Sequence, residues 1–118
     1  MRVLLVEDEQ PVRDLLTEIL RDAGLDVREC ASAEAALARE EPPPLVLVTD
    51  INLGSGMSGL ELAAAARRRW PGLRVVFITG QPWRLNLHAL RGTERFLAKP
   101  FGAREFLKVV SEAAESRA

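Results

Sequence analysis

The stretch VLLVEDE, residues 3–9, places two acidic side chains, Glu7 and Asp8, directly after a continuous apolar run. A run of β-branched residues and leucine is typical of a strand buried on both faces of a parallel sheet. Two further apolar runs are followed by a charged residue: Asp50 follows the run in LVLVTD, and Lys99 follows the run in RFLAKPF. Because parallel sheets bind ligands beyond the carboxyl ends of their strands, we expect these four side chains to share one pocket.

The remaining sequence alternates between strand and helix patterns. Strands are predicted at 3–6, 27–30, 45–49, 75–78 and 96–98, and helices at 11–23, 33–38, 60–70 and within 101–114. Between Gln81 and Glu94 the apolar residues form no clean stripe, so we expect only a short or irregular helix there. This alternation predicts one α/β domain over residues 1–118, with a parallel five-stranded sheet, right-handed crossovers and helices on both faces.

Composition excludes several classes of protein. A chain of 118 residues has the size of one domain, and a formal charge of -1 gives no reason to expect direct binding of nucleic acid. No apolar run is long enough to cross a bilayer, and the first residues lack the features of a signal peptide. The single Cys30 allows no internal disulfide. We therefore expect a cytoplasmic protein that does not contact a membrane.

The charged residues at the strand ends predict a site for Mg²⁺, or for another divalent cation such as Mn²⁺, because Mg²⁺ prefers oxygen ligands. Asp8 and Asp50 are the main ligand candidates, and Glu7 is close enough to act directly or through water. A carboxylate can also accept a phosphoryl group covalently, and Asp50 is the natural nucleophile. Lys99 and the hydroxyl of Thr79 would then contact the phosphoryl oxygens.

Each of these features alone has a simpler interpretation. An acidic pair after a strand is more often a solvated loop or a helix cap than a metal site, and a lysine after an apolar run says even less. The joint occurrence of suitable groups at four strand ends favours the site.

Five motifs, VLLVEDE, DINL, GMSGLEL, FITG and FLAKPF, together resemble the receiver domains of two-component response regulators, the CheY-like superfamily. The resemblance covers nearly the whole chain. It implies a flavodoxin-like (βα)5 three-layer sandwich with strand order 2-1-3-4-5. It also implies a phosphoprotein of a phosphorelay, in which Asp50 takes a phosphoryl group from a sensor histidine kinase or a histidine phosphotransfer protein.

The resemblance further assigns the metal ligands. By this match the side chains of Glu7, Asp8 and Asp50, together with the backbone carbonyl of Asn52, would arrange the cation. The signalling domain would carry out only its own phosphorylation and dephosphorylation, so it would not be an enzyme acting on external substrates.

The match also implies a conformational switch. Thr79 and Lys99 would contact the phosphoryl group, Thr79 would move toward it, and Phe96 would turn inward into the space that becomes free. The Lys99-Pro100 peptide bond would be cis. The surface of the fifth strand and the last two predicted helices would then change its affinity for a separate downstream protein, and a phosphorylation-dependent dimer is compatible with this scheme.

The chain departs from the common family pattern in two loops. The loop 53–59 is one residue longer and has Gly54 in place of a usual proline, which predicts a looser turn. The segment between Thr79 and Lys99 is about two residues short of the common pattern. This shortening puts the usual output surface in question.

Three other functions remain open. The chain is expected to be a single-domain receiver because it starts at Met1, but a receiver taken from a hybrid histidine kinase or from a longer regulator is an alternative. A phospho-independent pseudo-receiver is disfavoured by the complete set of site residues. An aspartyl-nucleophile phosphatase typically has a second aspartate two positions after the nucleophile, and Asn52 stands there in this chain.

Overall fold

The computed structural model describes residues 1–38, 42–54, 56–81 and 92–116. In this part of the chain, strands and helices follow one another from the amino end. The strands are β1 (Arg2–Val6), β2 (Asp26–Cys30), β3 (Val46–Asp50), β4 (Arg74–Thr79) and β5 (Glu94–Ala98). The helices are α1 (Gln10–Asp22), α2 (Ala33–Leu37), α3 (Gly59–Arg69) and α4 (Ala103–Glu115).

The five strands form one parallel sheet in the order β2-β1-β3-β4-β5. The fold class and the strand order expected from the sequence are therefore confirmed. The short helix expected between Gln81 and Glu94 falls mainly on residues 82–91, which lie outside the described residues.

Alternating side chains of the sheet build two separate hydrophobic clusters, one on each face. Val3 and Leu5 of β1 pack into the cluster that contains Phe106 of α4, together with residues of α1. Leu4 of β1 belongs to the opposite cluster, to which α2 and α3 contribute, among others, Leu62. The strands are thus buried on both faces, as their continuous apolar sequences predict.

Local sequence signals set the ends of the helices. Ser58 is the N-cap of α3, and its side chain accepts a hydrogen bond from Glu61 N–H at 3.2 Å while Glu61 Oε1 accepts one from Ser58 N–H at 3.1 Å. This reciprocal capping box satisfies two backbone donors that the first helical turn would otherwise leave without a partner. Helix α3 therefore begins at a defined point directly after the loop that follows β3.

Gly59, the first residue of α3, lies against the end of β3. A Cβ atom at this position would be 2.1 Å from the carbonyl oxygen of Asp50, so only glycine fits there. Gly59 N–H also donates to the carbonyl of Ile51 at 2.8 Å. Sheet and helix are thereby joined next to the predicted pocket.

Candidate functional site

The register of the strands brings the predicted site residues to one edge of the sheet. Glu7 directly follows β1, and its N–H donates to the carbonyl of Cys30 at the end of β2. Asp50 is the last residue of β3 and is aligned with Ile78 of β4. Thr79, the next residue of β4, is aligned with Ala98, and Lys99 follows directly after β5.

Lys99 joins the two buried carboxylates of the site. Its Nζ lies 2.6 Å from Asp50 Oδ2 and 3.7 Å from Glu7 Oε1. The first distance is that of a charge-assisted hydrogen bond, whereas the second is an ion pair without a hydrogen bond. Asp50 Oδ1 accepts the backbone N–H of Asn52 at 3.0 Å. Both oxygens of Asp50 therefore have a donor, and the residue is only 7% exposed.

Glu7 is the residue of the site whose buried polar atoms lack hydrogen-bond partners within the described part of the chain. It is 2% exposed, and neither of its carboxylate oxygens has a hydrogen-bond partner among the described residues. Burial, and then the negative charge of Asp50, raise the pKa of Glu7 from 4.5 to about 7, although Lys99 acts in the opposite direction. A buried carboxylate in this condition requires a proton or a further positive charge nearby.

Lys99 stays positively charged in these surroundings. Its partial burial lowers the pKa. The hydrogen bond to Asp50 and the negative charges of Asp50, Glu7 and Glu9 together raise it by more, so the pKa of Lys99 is above the ordinary value of 10.5. A single lysine thus compensates the carboxylates at this edge only in part.

The residues present fit a divalent cation. Glu7, Asp8 and Glu9 each offer one carboxylate oxygen, and these oxygens lie within 4.8 Å of one another. Glu7 is buried while Asp8 and Glu9 are exposed to water, which suits Mg²⁺ because this ion prefers oxygen ligands and usually keeps several waters. The unsatisfied oxygens of Glu7 point to the same conclusion. Glu9 was not among the residues predicted from sequence, although the run Glu7-Asp8-Glu9 contained the signal.

Arg13 of α1 holds the backbone beside this acidic cluster. Its guanidinium donates to the carbonyl oxygen of Glu7 at 2.8 Å and lies 3.8 Å from Glu29 Oε1 on β2. The arginine ties the end of β1 to helix α1. Sequence reasoning did not find it, because an arginine in an amphipathic helix gives no local sign of a backbone partner.

Thr79 and Phe96 occupy the positions expected for them, at the end of β4 and within β5. The Thr79 hydroxyl oxygen accepts the N–H of Gln81 at 2.9 Å, and the Thr79 carbonyl accepts the N–H of Lys99 at 2.8 Å. Phe96 is partly buried and packs against the cluster on the α2 and α3 face. The Lys99-Pro100 peptide bond is cis.

Asn52 lies beyond β3 and is exposed. Its N–H binds Asp50, as described above, whereas the predicted role of its carbonyl as a metal ligand stays a prediction.

Residues 3–111 match the family described as the response regulator receiver domain. The chain belongs to this family. The receiver domain is similar to the response regulator protein FleR of Pseudomonas aeruginosa, with 36% identity over 115 residues. That match covers 93% of the chain but 24% of FleR. The chain likewise spans only about a quarter of the length of two other relatives, NtrX of Azorhizobium caulinodans and an NtrX-like regulator of Rickettsia bellii. The receiver protein CpdR of Brucella abortus is 33% identical, with 94% of each chain covered.

Solved structures show the same fold. The chemotaxis response regulator CheY4 of Vibrio cholerae has 27% identity and a TM-score of 0.83, with 95% of this receiver domain and 97% of that chain covered. The response regulator TrrA of Thermotoga maritima, solved in complex with Mg(2+)-BeF, has 27% identity and a TM-score of 0.81 with the same coverages.

Membership in the family establishes the general class of function. Receiver domains are signalling domains of two-component systems rather than classical enzymes, they generally use a divalent metal, and they work with histidine kinases and downstream effectors. In the part of the chain that the structure describes, no helix is long and apolar enough to cross a membrane.

Proposed function

We propose that Asp50 accepts a phosphoryl group from a phosphohistidine of a sensor histidine kinase or a histidine phosphotransfer protein. The observation that carries this proposal is the contact of 2.6 Å between Lys99 Nζ and Asp50 Oδ2 at the carboxyl edge of the sheet. In the reaction an oxygen of Asp50 forms a bond to phosphorus while the bond from phosphorus to the imidazole nitrogen breaks. The electron pair of the broken bond stays on that nitrogen.

The residues of the pocket have separate tasks in this reaction. Glu7, Asp8, Asp50 and the carbonyl of Asn52 would hold a Mg²⁺ ion, which would supply positive charge to the phosphoryl oxygens. The exposed Glu9 adds one more carboxylate oxygen beside those of Glu7 and Asp8. Mn²⁺ satisfies the same oxygen ligands.

Lys99 and Thr79 recognise the product. Once Asp50 carries the phosphoryl group, Lys99 exchanges its hydrogen bond with the carboxylate for one with a phosphoryl oxygen. In the structure, the Thr79 hydroxyl oxygen accepts the N–H of Gln81. The hydroxyl proton of Thr79 is therefore available for donation. We infer that this donation draws Thr79 toward the pocket.

Phe96 is the second residue of the proposed switch. Its ring is partly buried, so it can exchange an outer position for a more buried one when Thr79 moves. The phosphoryl group would then favour one of two conformations through its different contacts with each. A separate downstream protein would bind the changed surface, and phosphorylation-dependent dimer formation is another outcome that the same surface allows.

Two expectations from the sequence stay predictions. One is that the chain acts as a single-domain regulator rather than as part of a hybrid kinase or a longer regulator. The other is its cytoplasmic location.

The test is phosphorylation with acetyl phosphate and Mg²⁺, followed by intact mass measurement. We expect one phosphoryl adduct on the wild-type protein and none on Asp50→Asn. The matched control is Asp14→Asn, since Asp14 is an exposed aspartate of α1, and this variant should be modified as the wild type is. Chelation of the metal should prevent the reaction.

Absence of the adduct from a wild-type protein that binds Mg²⁺ would contradict the proposal and favour a pseudo-receiver. Repeated hydrolysis of a phosphoester, much faster than loss of the adduct, would instead indicate a phosphatase.

A further inference from the structure

The loop between β3 and α3 is held by a hydrogen bond at each of its ends, close to the end of β3. At its start the N–H of Asn52 donates to Asp50 Oδ1 at 3.0 Å. At its end the N–H of Gly59 donates to the carbonyl of Ile51 at 2.8 Å. These contacts fix where the loop leaves β3 and where it enters α3, but they do not fix the backbone between them.

A residue from another part of the chain holds this backbone. Glu34, in the first turn of α2, accepts the N–H of Met57 through Oε2 at 2.9 Å. The neighbouring Gly56 has a φ of +96°, and a Cβ atom on it would lie 2.9 Å from the same oxygen. The loop therefore passes directly against the carboxylate, in a conformation that glycine adopts readily and other residues do not.

The position of Glu34 is itself well defined. Ser32, the N-cap of α2, accepts the N–H of Ala35 at 3.1 Å and so fixes the first turn of the helix. The hydrogen bond from Met57 N–H, followed by one from its own backbone, holds the pKa of Glu34 below the ordinary 4.5. The carboxylate is consequently ionised near neutral pH, and a hydrogen bond to an ionised acceptor is stronger than one to a neutral acceptor.

The other side of the loop lies against Asp8 of the acidic cluster formed by Glu7, Asp8 and Glu9. Gly54 has a φ of +76°, and its Cβ position would be 3.4 Å from Asp8 Oδ2. A change in the path of the loop therefore changes the surroundings of Asp8. It also affects Asn52, whose N–H orients Asp50 and whose carbonyl is a proposed ligand.

We propose that Glu34, from the neighbouring helix α2, is a positioning residue of the phosphoacceptor site and holds the β3–α3 loop, which includes Asn52, beside Asp8. This inference rests on the proposed function. Glu34 contacts neither the cation nor the phosphoryl group, and it acts by limiting the positions that Asn52 and Gly54 can take. It also connects α2 to the chemistry of the pocket.

The test compares Glu34→Ala, Glu34→Gln and, as a matched control, Glu18→Ala, which changes an exposed glutamate of α1 away from the loop. Three quantities are measured on the full chain: the exchange rate of the Met57 amide by NMR without metal, the Mg²⁺ affinity by calorimetry, and the half-life of the phosphoryl adduct by intact mass. Urea unfolding of each variant reports on global stability.

We expect Glu34→Ala to speed exchange of the Met57 amide, because local opening exposes an amide that has lost its acceptor. Mg²⁺ affinity should fall by about threefold or more, and the half-life of the adduct should change by about twofold or more. Glu34→Gln keeps an acceptor oxygen and should restore most of each quantity. The urea midpoint should differ little from that of Glu18→Ala.

Faster exchange with unchanged Mg²⁺ affinity and unchanged half-life would overturn the inference, since the contact would then be structural only. Unchanged exchange of Met57 would overturn it as well. If wild-type protein neither bound Mg²⁺ nor formed the adduct, the proposed function and this inference would both fail, and the wild-type data alone would show it.

Discussion

Replacement of Glu7 by glutamine should make the metal-free protein more resistant to unfolding at alkaline pH. Glu7 is 2% exposed, lacks hydrogen-bond partners among the described residues, and shares Lys99 with Asp50. Glutamine has nearly the shape of the protonated glutamate side chain, but it cannot ionise to a negatively charged form. The variant therefore removes the cost of ionising a buried group.

The magnitude follows from the pKa of Glu7, which rises from 4.5 to about 7. At roughly 1.4 kcal/mol for each pKa unit, the full effect is about 3 kcal/mol. Because the folded-state pKa is above the unfolded value, this stability is present below about pH 4.5 and is lost as the pH rises through about 7. Roughly 2.5 kcal/mol of the loss should fall between about pH 5 and about pH 8.

Urea unfolding of metal-free wild type and Glu7→Gln at these two pH values measures the effect. The free energy of unfolding of the variant, minus that of the wild type, should be larger at the higher pH by up to about 2.5 kcal/mol. Added Mg²⁺ should stabilise the wild type at about pH 8 more than the variant, because bound metal takes the place of the proton. Glu18→Gln, which changes an exposed carboxylate, is the control.

A difference between Glu7→Gln and wild type that stayed the same at both pH values would refute this reasoning. So would an equal pH dependence in Glu18→Gln. Either result would mean that groups other than a bound proton or metal balance the negative charge of the buried Glu7 carboxylate.

Three further substitutions test how the fold supports the pocket, each by urea unfolding. Gly59→Ala places a Cβ atom 2.1 Å from the Asp50 carbonyl oxygen and should cost about 1–3 kcal/mol, whereas Gly72→Ala meets no atom within 4 Å and should have little effect. Equal costs for both glycines would refute the close contact. Phe106→Ala empties a fully buried position and should cost about 3–5 kcal/mol, and a loss below about 1 kcal/mol would mean that the cluster repacks. Ser58→Ala removes the capping side chain of α3 and should cost about 1 kcal/mol, which an unchanged unfolding midpoint would contradict.

The sequence allowed the sheet and the main site residues to be predicted because both follow from short patterns. A buried parallel strand is a continuous apolar run, and the residue after it must lie at the carboxyl edge. This reasoning placed Glu7, Asp50, Thr79 and Lys99 together without any knowledge of their distances. The roles of these residues in metal binding and phosphoryl transfer stay predictions.

Contacts made by loops and by polar side chains could not be predicted in the same way. Glu34 accepts the N–H of Met57 beside Gly56, whose φ is positive, and nothing in the residues around Glu34 indicates that partner. The start of β5 was missed because Glu94, a buried polar residue that forms an ion pair with Arg67 of α3, interrupts the apolar pattern.

The two hydrophobic clusters on opposite faces of the sheet have a consequence for how the domain tolerates change. The strand backbones separate the side chains of α1 and α4 from those of α2 and α3, so volume changes on opposite faces share few neighbours. The energetic costs of such changes should therefore add, whereas changes within one face should couple. The core on one face can therefore be repacked while the core on the other face keeps the strands in register.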